Sequence, residues 1–350
     1  MKTFFKIVFF TLMLIFLLGI KGARAHDEYT KIIKKEFIVN TDAQLTINNR
    51  FGKVHCTNWD KNMVSIEVTI TVSAYDKTEA DRKFQEISID FTDSPVAVSA
   101  ITTFRESRDM GKGHFSIDYL VNMPVTMNLD ITNKFGDIFI NEVQGKCRIN
   151  LGYGSLEAKK LANSDNLLDI KFSKARINWI KGAVFSLKYS ELNVDYAGSL
   201  RLDSKYSNLD AEKIIALNMV FEGGKLNMES SSAVDSKSKF SDLEFERIEQ
   251  SLNLDIQYGS CDVHEMPVDF TSVVIRNKYG NVSIGLNEQS KYTLEADLKF
   301  CNLDFPSDKA KFTYRSTTTS ENIYRGIIGG KENPASKVNI HSEFGNVSLK

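Results

Sequence analysis

One short pattern recurs along this chain and restricts its possible folds more than any other feature. An aromatic residue is followed by a small one, then by polar and apolar residues in alternation. It reads Phe135-Gly136-Asp137-Ile138-Phe139-Ile140, then Tyr153-Gly154-Ser155-Leu156-Glu157-Ala158, then Phe172-Ser173-Lys174-Ala175-Arg176-Ile177. Further copies begin at Tyr189, Tyr206, Phe240, Tyr258 and Tyr279, with a degenerate one at Gly223 and a weaker one at Phe300. Phe344-Gly345-Asn346-Val347 closes the chain, and Phe51-Gly52-Lys53-Val54 is an early copy. From residue 135 the spacings run 18, 19, 17, 17, 17, 17, 18, 21 and 21. Self-similarity at such a period marks a repeat architecture.

Each unit carries a second alternating segment about halfway along, such as Leu252-Asn253-Leu254-Asp255-Ile256. Two short strands and two turns per unit predict one coil of a β-solenoid, with coils of 17–21 residues. One coil cannot bury its own inward residues. Stacking at ~4.8 Å lets each backbone N–H and C=O pair with the coils on either side. Proline would break such ladders, and none lies between Pro124 and Pro267. The fold class is therefore read as all-β, with the solenoid over 131–305.

The flanks read differently. Val64, Ile66, Val68, Ile70 and Val72 alternate without a break, as in a half-buried strand. Asp76 and Glu79 resemble a capping box, and Ala80, Phe84 and Ile87 follow at helical spacing, predicting a helix near 77–88. Residues 26–130 are read as a β-rich section that covers the first coil, because an open solenoid end exposes unpaired edges. Residues 306–350, with Pro306, a Thr/Ser run and Gly329-Gly330, are read as an irregular loop and a final coil.

Residues 1–25 have the form of a signal peptide. Lys2 and Lys6 precede an uncharged run from Ile7 to Ile20, and an Ala-x-Ala site ends at Ala25. The run is shorter than the ~20 residues of a spanning helix, so a chain that is exported and not membrane-spanning after cleavage is expected. Beyond that segment 40 basic residues face 45 acidic ones, a balance that excludes a general nucleic-acid binder. Export makes the four cysteines worth testing as disulfides. Cys56, Cys147 and Cys261 occupy slots that alternate with Ile, Leu or Val, so they are read as free, buried hydrophobes.

Asn133-Lys134-Phe135-Gly136-Asp137-Ile138, the Tyr-Ser and Tyr-Gly corners, and the ending Phe344-Gly345-Asn346-Val347 carry a family likeness. In these the chain resembles exported adhesin-type families of Bacteroidetes-type bacteria, built on a β-strand repeat or head domain of otherwise unknown function. The likeness spans most of the mature chain and implies a β-repeat fold and an envelope location, in the periplasm or on the surface of a Gram-negative cell.

Catalytic and cofactor patterns are sparse. The five histidines, at 26, 55, 114, 264 and 341, form no His-x-x-x-His pair, and His264-Glu265 lacks the second histidine of a zincin. Gly223-Gly224 and Gly329-Gly330 lack the lysine and the strand-to-helix context of a phosphate loop. No catalytic residue, metal or cofactor is expected. Glu157, Asp210, Glu244, Asp262 and Asp304 alternate with inward residues and are read as a solvated face. A glycan-active enzyme would instead need a cleft with clustered charges, formed by loops from 101–114 or 306–340.

The residue before the aromatic is lysine at seven units, Lys134, Lys171, Lys188, Lys205, Lys239, Lys278 and Lys299, with Arg50 at the early copy. Stacked in register these form a column of like charge, which the outward acids would have to compensate. The column is either a solubilising edge or a binding face for an anionic glycan. The aromatic column beside it is read as a packing ladder at a corner. A non-enzymatic, adhesin-like envelope protein is the leading reading, with a glycan or another envelope protein as partner. A β-helix lyase or hydrolase and a purely structural envelope component are the alternatives.

Overall fold

The computed structural model describes residues 26–105, 114–330 and 332–350. The proposed signal segment and residues 106–113 of the 101–114 loop lie outside the described residues. Among the described residues the chain is nearly all β, in one open 24-stranded sheet with a single α-helix. No helix among the described residues is long and apolar enough to cross a membrane.

Successive repeats pair in parallel, each residue with its counterpart one repeat later. Ile131 pairs with Ile149, Ile149 with Leu168, Leu168 with Phe185, Phe185 with Leu202, and Leu202 with Met219. After the corner, Ile138, Leu156, Ala175, Leu192 and Leu209 are joined in the same way. All of these side chains are buried, and they belong to one continuous hydrophobic cluster. Alternation follows directly, since successive strand residues point to opposite faces. Most repeats bury a Leu, Ile and Val set and leave the intervening polar residues to solvent, while Ser231, Ser236 and Ser238 take buried positions before the Phe240 corner. The run Asn208–Gln257 is extended throughout except at Gly223, Gly224 and Phe240, whose φ values of 66°, 134° and 54° turn the corners.

Both ends of the parallel ladder are built by insertion. The early copy is a full member of the stack: Gln44–Arg50 pairs with Asn128–Lys134 on one side and Ala97–Phe104 on the other. Val54–Asn58 likewise lies between Ile138–Val143 and Phe115–Met123. At the far end Ser336–Glu343 lies between Ser272–Lys278 and Tyr292–Lys299, so a strand late in sequence separates two earlier ones.

Antiparallel strands then close the edges. Met63–Ala74 packs on Phe115–Met123 and carries Asp27–Ile38 beyond it. At the other end Glu321–Ile328 covers Tyr292–Lys299 and pairs with Ala310–Thr317. Much of 306–340 is therefore a hairpin where an irregular loop was expected. Its Thr/Ser run supplies the turn, where the Thr318 hydroxyl accepts from the Glu321 N–H at 2.9 Å. The helix spans Lys77–Gln85 and stops short of 88, because Ile87 begins the strand Ile87–Ser94. Half of the expected capping box forms, since Asp76 accepts from the Glu79 N–H, while the Glu79 carboxylate reaches one residue further back and accepts from the Tyr75 N–H, each at 2.9 Å.

Candidate binding face

The corner of each repeat is the most unusual element of the backbone. Among the described residues twelve non-glycines have positive φ, and eleven of them are the repeat aromatics, from Phe51 at 66° to Phe344 at 57°. Bulky L-residues avoid this region because Cβ crowds the next carbonyl. Here the conformation is held from outside. The N–H of Tyr153 donates to the Lys171 carbonyl at 3.1 Å, that of Phe172 to Lys188 at 2.9 Å, and that of Tyr189 to Lys205 at 3.0 Å.

The small residue that follows is fixed by the same crowding. A Cβ on Gly154 would lie 2.0 Å from the Gly136 carbonyl oxygen. Where serine occurs, its hydroxyl joins a ladder. Ser190 Oγ accepts from the Ser173 N–H at 3.2 Å and donates to the Lys188 carbonyl at 2.8 Å. Ser207 repeats the arrangement with Ser190 and Lys205 at 3.0 and 2.9 Å.

The rings point outward and stack on one another. Phe51, Phe135, Tyr153, Phe172, Tyr189 and Tyr206 form one ladder, with centroids 4.9–5.3 Å apart and planes within 16° of parallel. Phe240, Tyr258, Tyr279, Phe344 and Phe300 form a second, with centroids 5.0–5.1 Å apart. Gly223 stands between the two ladders and contributes no ring. Phe344 falls between Tyr279 and Phe300, the same insertion that the strands show.

The lysine column runs beside the rings. Arg50, Lys134, Gly152, Lys171, Lys188, Lys205 and Glu222 are register neighbours in that order. Further along, Gln257, Lys278, Glu343 and Lys299 follow one another. Lys239 belongs to the Phe240 corner, its Nζ 5.2 Å from the ring centroid. Lys134 and Lys278 sit similarly over Phe135 and Tyr279, at 5.6 and 5.8 Å.

Compensation comes from acids other than the expected ones. Glu222 and Glu343 occupy lysine positions of their own repeats. Glu222 pairs with Lys205 at 3.2 Å, and Glu343 lies 3.5 and 3.6 Å from Lys278 and Lys299. Desolvation opposes ionisation of Glu343, but Lys278, Lys299 and His341 around it hold its carboxyl below the ordinary range. Bonding to Glu222 raises Lys205 above its ordinary value. Asp169 holds Lys171 at 2.6 Å. Between them, Lys188 has no carboxylate within ion-pair distance among the described residues. Lys171, Lys188 and Lys205 are thus three consecutive lysines with acids only at the two ends.

Beyond the corner the sign reverses. Asp195, Asp210, Glu212, Glu229, Glu244 and Glu246 line a shallow groove of about 400 Å³ on the outer face of the following strands. The repeat register also brings His264 to Glu244 and Glu246, with one ligand atom of each within 4.8 Å of the others. Glu244 is shared with Lys225 at 3.9 Å and His264 at 3.5 Å. The hairpin from 306–340 borders a second cleft of about 870 Å³, lined in part by Asp269, Glu288, Lys291, Asp308 and Lys309. Cys56, Cys147, Cys261 and Cys301 are all free and buried, and burial pushes the Cys56 thiol up to about 12.

No family model and no curated protein matches this chain. Among solved structures it is similar to a "putative cell adhesion protein" of Clostridium sporogenes, at 11% identity over 93% of this chain and 99% of that one, with a TM-score of 0.20. A "putative adhesin" of Parabacteroides distasonis matches at 11% identity, covering 91% and 97%, with a TM-score of 0.30. Another from Parabacteroides merdae matches at 13% identity, covering 91% and 96%, with a TM-score of 0.27. These proteins bear the adhesin designation that the sequence resemblance implied. At such TM-scores the chains do not superpose as a whole, and the designation stays with those proteins.

Proposed function

We propose that this chain is a non-enzymatic, exported β-solenoid of the bacterial envelope, adhesin-like in use, whose corner face binds an anionic glycan. The observation that carries the reading is the run Lys171, Lys188 and Lys205 beside a ladder of exposed rings. Strand spacing sets the Cα atoms of these lysines ~4.8 Å apart in a straight row. Keeping such a row in register raises its own energy, and a polyanion laid along it lowers that energy by replacing repulsion with attraction. A solubilising surface needs no such alignment, since scattered charges of both signs serve equally well. The acids across the corner would repel the same polyanion and confine it to the lysine side.

Reversing three charges, Lys171→Glu, Lys188→Glu and Lys205→Glu, tests the reading on a column of immobilised acidic polysaccharide. Wild-type protein should be retained and released by salt, and the triple variant should flow through. Retention that is unchanged and insensitive to salt would overturn it.

A further inference from the structure

We propose that the break in the ring ladder at Gly223 is a subsite that sandwiches one pyranose ring of an acidic sugar between Tyr206 and Phe240. This deepens the acidic-glycan reading above and rests on it. Within an unbroken ladder the rings cover each other's faces and leave only edges to solvent. A flat ligand therefore finds an open face only where the ladder ends or skips a rung.

The backbone at the gap is that of an occupied rung. Gly223 has φ 66°, equal to that of Phe51 and close to the 52° and 54° of Tyr206 and Phe240. The corner continues without a ring, and its second residue, Gly224 at φ 134°, departs from the small residue of the neighbouring corners. Skipping one rung sets Tyr206 and Phe240 about two strand spacings apart, ~10 Å. That leaves room for one ring at the 4.9–5.3 Å pitch of the first ladder.

Exposure marks the Phe240 side of the gap: Phe240 and Phe300, each with one ring neighbour, are 57% and 62% exposed, against 48% and 47% for Phe172 and Phe344, which have two, while Tyr206 is as exposed as the doubly stacked Tyr189. Tyr206 leans toward the bare corner, since a Cβ on Gly223 would lie 2.9 Å from its Cδ1. It must swing back toward Tyr189 as a ligand enters.

Charge selects the occupant. Lys239 stands over the Phe240 ring and has no carboxylate partner among the described residues. On the other side the column continues through Lys205 and Lys188, and Glu222 at the gap is tied to Lys205. A ring bearing a carboxylate meets Lys239, and its chain neighbours run along the lysines. A neutral aromatic ring would gain the two faces alone.

Calorimetric titration with an oligogalacturonide, a neutral oligosaccharide of equal length and N-acetyltyrosine amide tests this. Gly223→Tyr fills the slot without touching a lysine, and the pair Tyr206→Leu with Phe240→Leu removes its walls. Each is expected to weaken oligogalacturonide binding about tenfold, the worth of two ring faces. If both bind as wild type while the triple lysine variant does not, the slot is overturned and the glycan reading stands. If wild-type protein binds no oligogalacturonide, both fall. If N-acetyltyrosine amide binds and Gly223→Tyr abolishes that while oligogalacturonide binding is unaffected, the slot takes an aromatic partner and the sugar assignment is overturned.

Discussion

Gly223→Tyr also tests whether the ladder stabilises the fold. Residue 223 already has φ 66°, as Phe51 does, so the new side chain can keep the wild-type φ at that position. The atoms nearest the new Cβ belong to the ring of Tyr206, which must turn aside to admit it. Leaving glycine in this region costs about 1–2 kcal/mol, offset by about 0.4–1 kcal/mol from a stiffer unfolded chain. Gly223→Ala isolates that loss and should be destabilised by up to about 1.6 kcal/mol. Tyrosine adds two stacked neighbours, each worth about 0.5–1.5 kcal/mol. It should therefore exceed alanine by about 1–3 kcal/mol, which recovers most or all of that loss. Urea unfolding followed by circular dichroism, with calorimetry as a check on two-state behaviour, measures the three proteins. A tyrosine variant no more stable than the alanine variant would refute the claim that ring stacking contributes net stability.

Two more outcomes follow from the same geometry. Glu343→Lys leaves the far end of the column without its acid, so the melting temperature should fall at low salt and recover toward wild type at about 1 M, where screening acts within ~3 Å. Because the carboxyl of Glu343 is held below its ordinary value, its contribution is present above the unfolded pKa of about 4.3 and lost as pH falls through the lower folded value. Acid melts of wild type and Glu343→Gln should therefore converge below that point, and a difference that persists there would be contrary evidence. Removing residues 331–350 deletes the strand Ser336–Glu343 between two others. Limited proteolysis should then cut within 287–330 while the repeats before 270 survive, and uniform resistance would show that the inserted strand is dispensable.

Much of this architecture was legible because the ring, the small residue and the alternation are local, and parallel stacking copies them at a fixed interval. The helix start was legible for the same reason, through Asp76 and Glu79. The insertions were not. Val338 and Ile340 alternate as any inward pair does, and nothing local says that their partners are Val273 with Ile275 and Leu294 with Ala296. Compensation of the column was half visible. Glu222 and Glu343 stand immediately before Gly223 and Phe344, at the lysine position of their repeats, and reading that position across every unit would have found both. His264 could have been placed beside Glu246 by the 18-residue interval from Phe240 to Tyr258. The positive φ of the corners had one clue, the glycine at 223 where other units carry a ring.

That glycine raises the question of why the other corners are not glycine too. Glycine would relieve strain of about 1–2 kcal/mol at each corner, yet eleven aromatics accept it. Burial does not explain the choice, since ten of these rings, all but Phe51, are 39–62% exposed. Register does. In a parallel ladder, a slip of one residue would set each ring against the lysine or the small residue of the next repeat and turn the whole inward set to solvent. Rings that stack only with rings penalise that slip at every corner. Strain at the corner is then the cost of a marker that keeps successive repeats aligned, and the lysines owe their straight row to it.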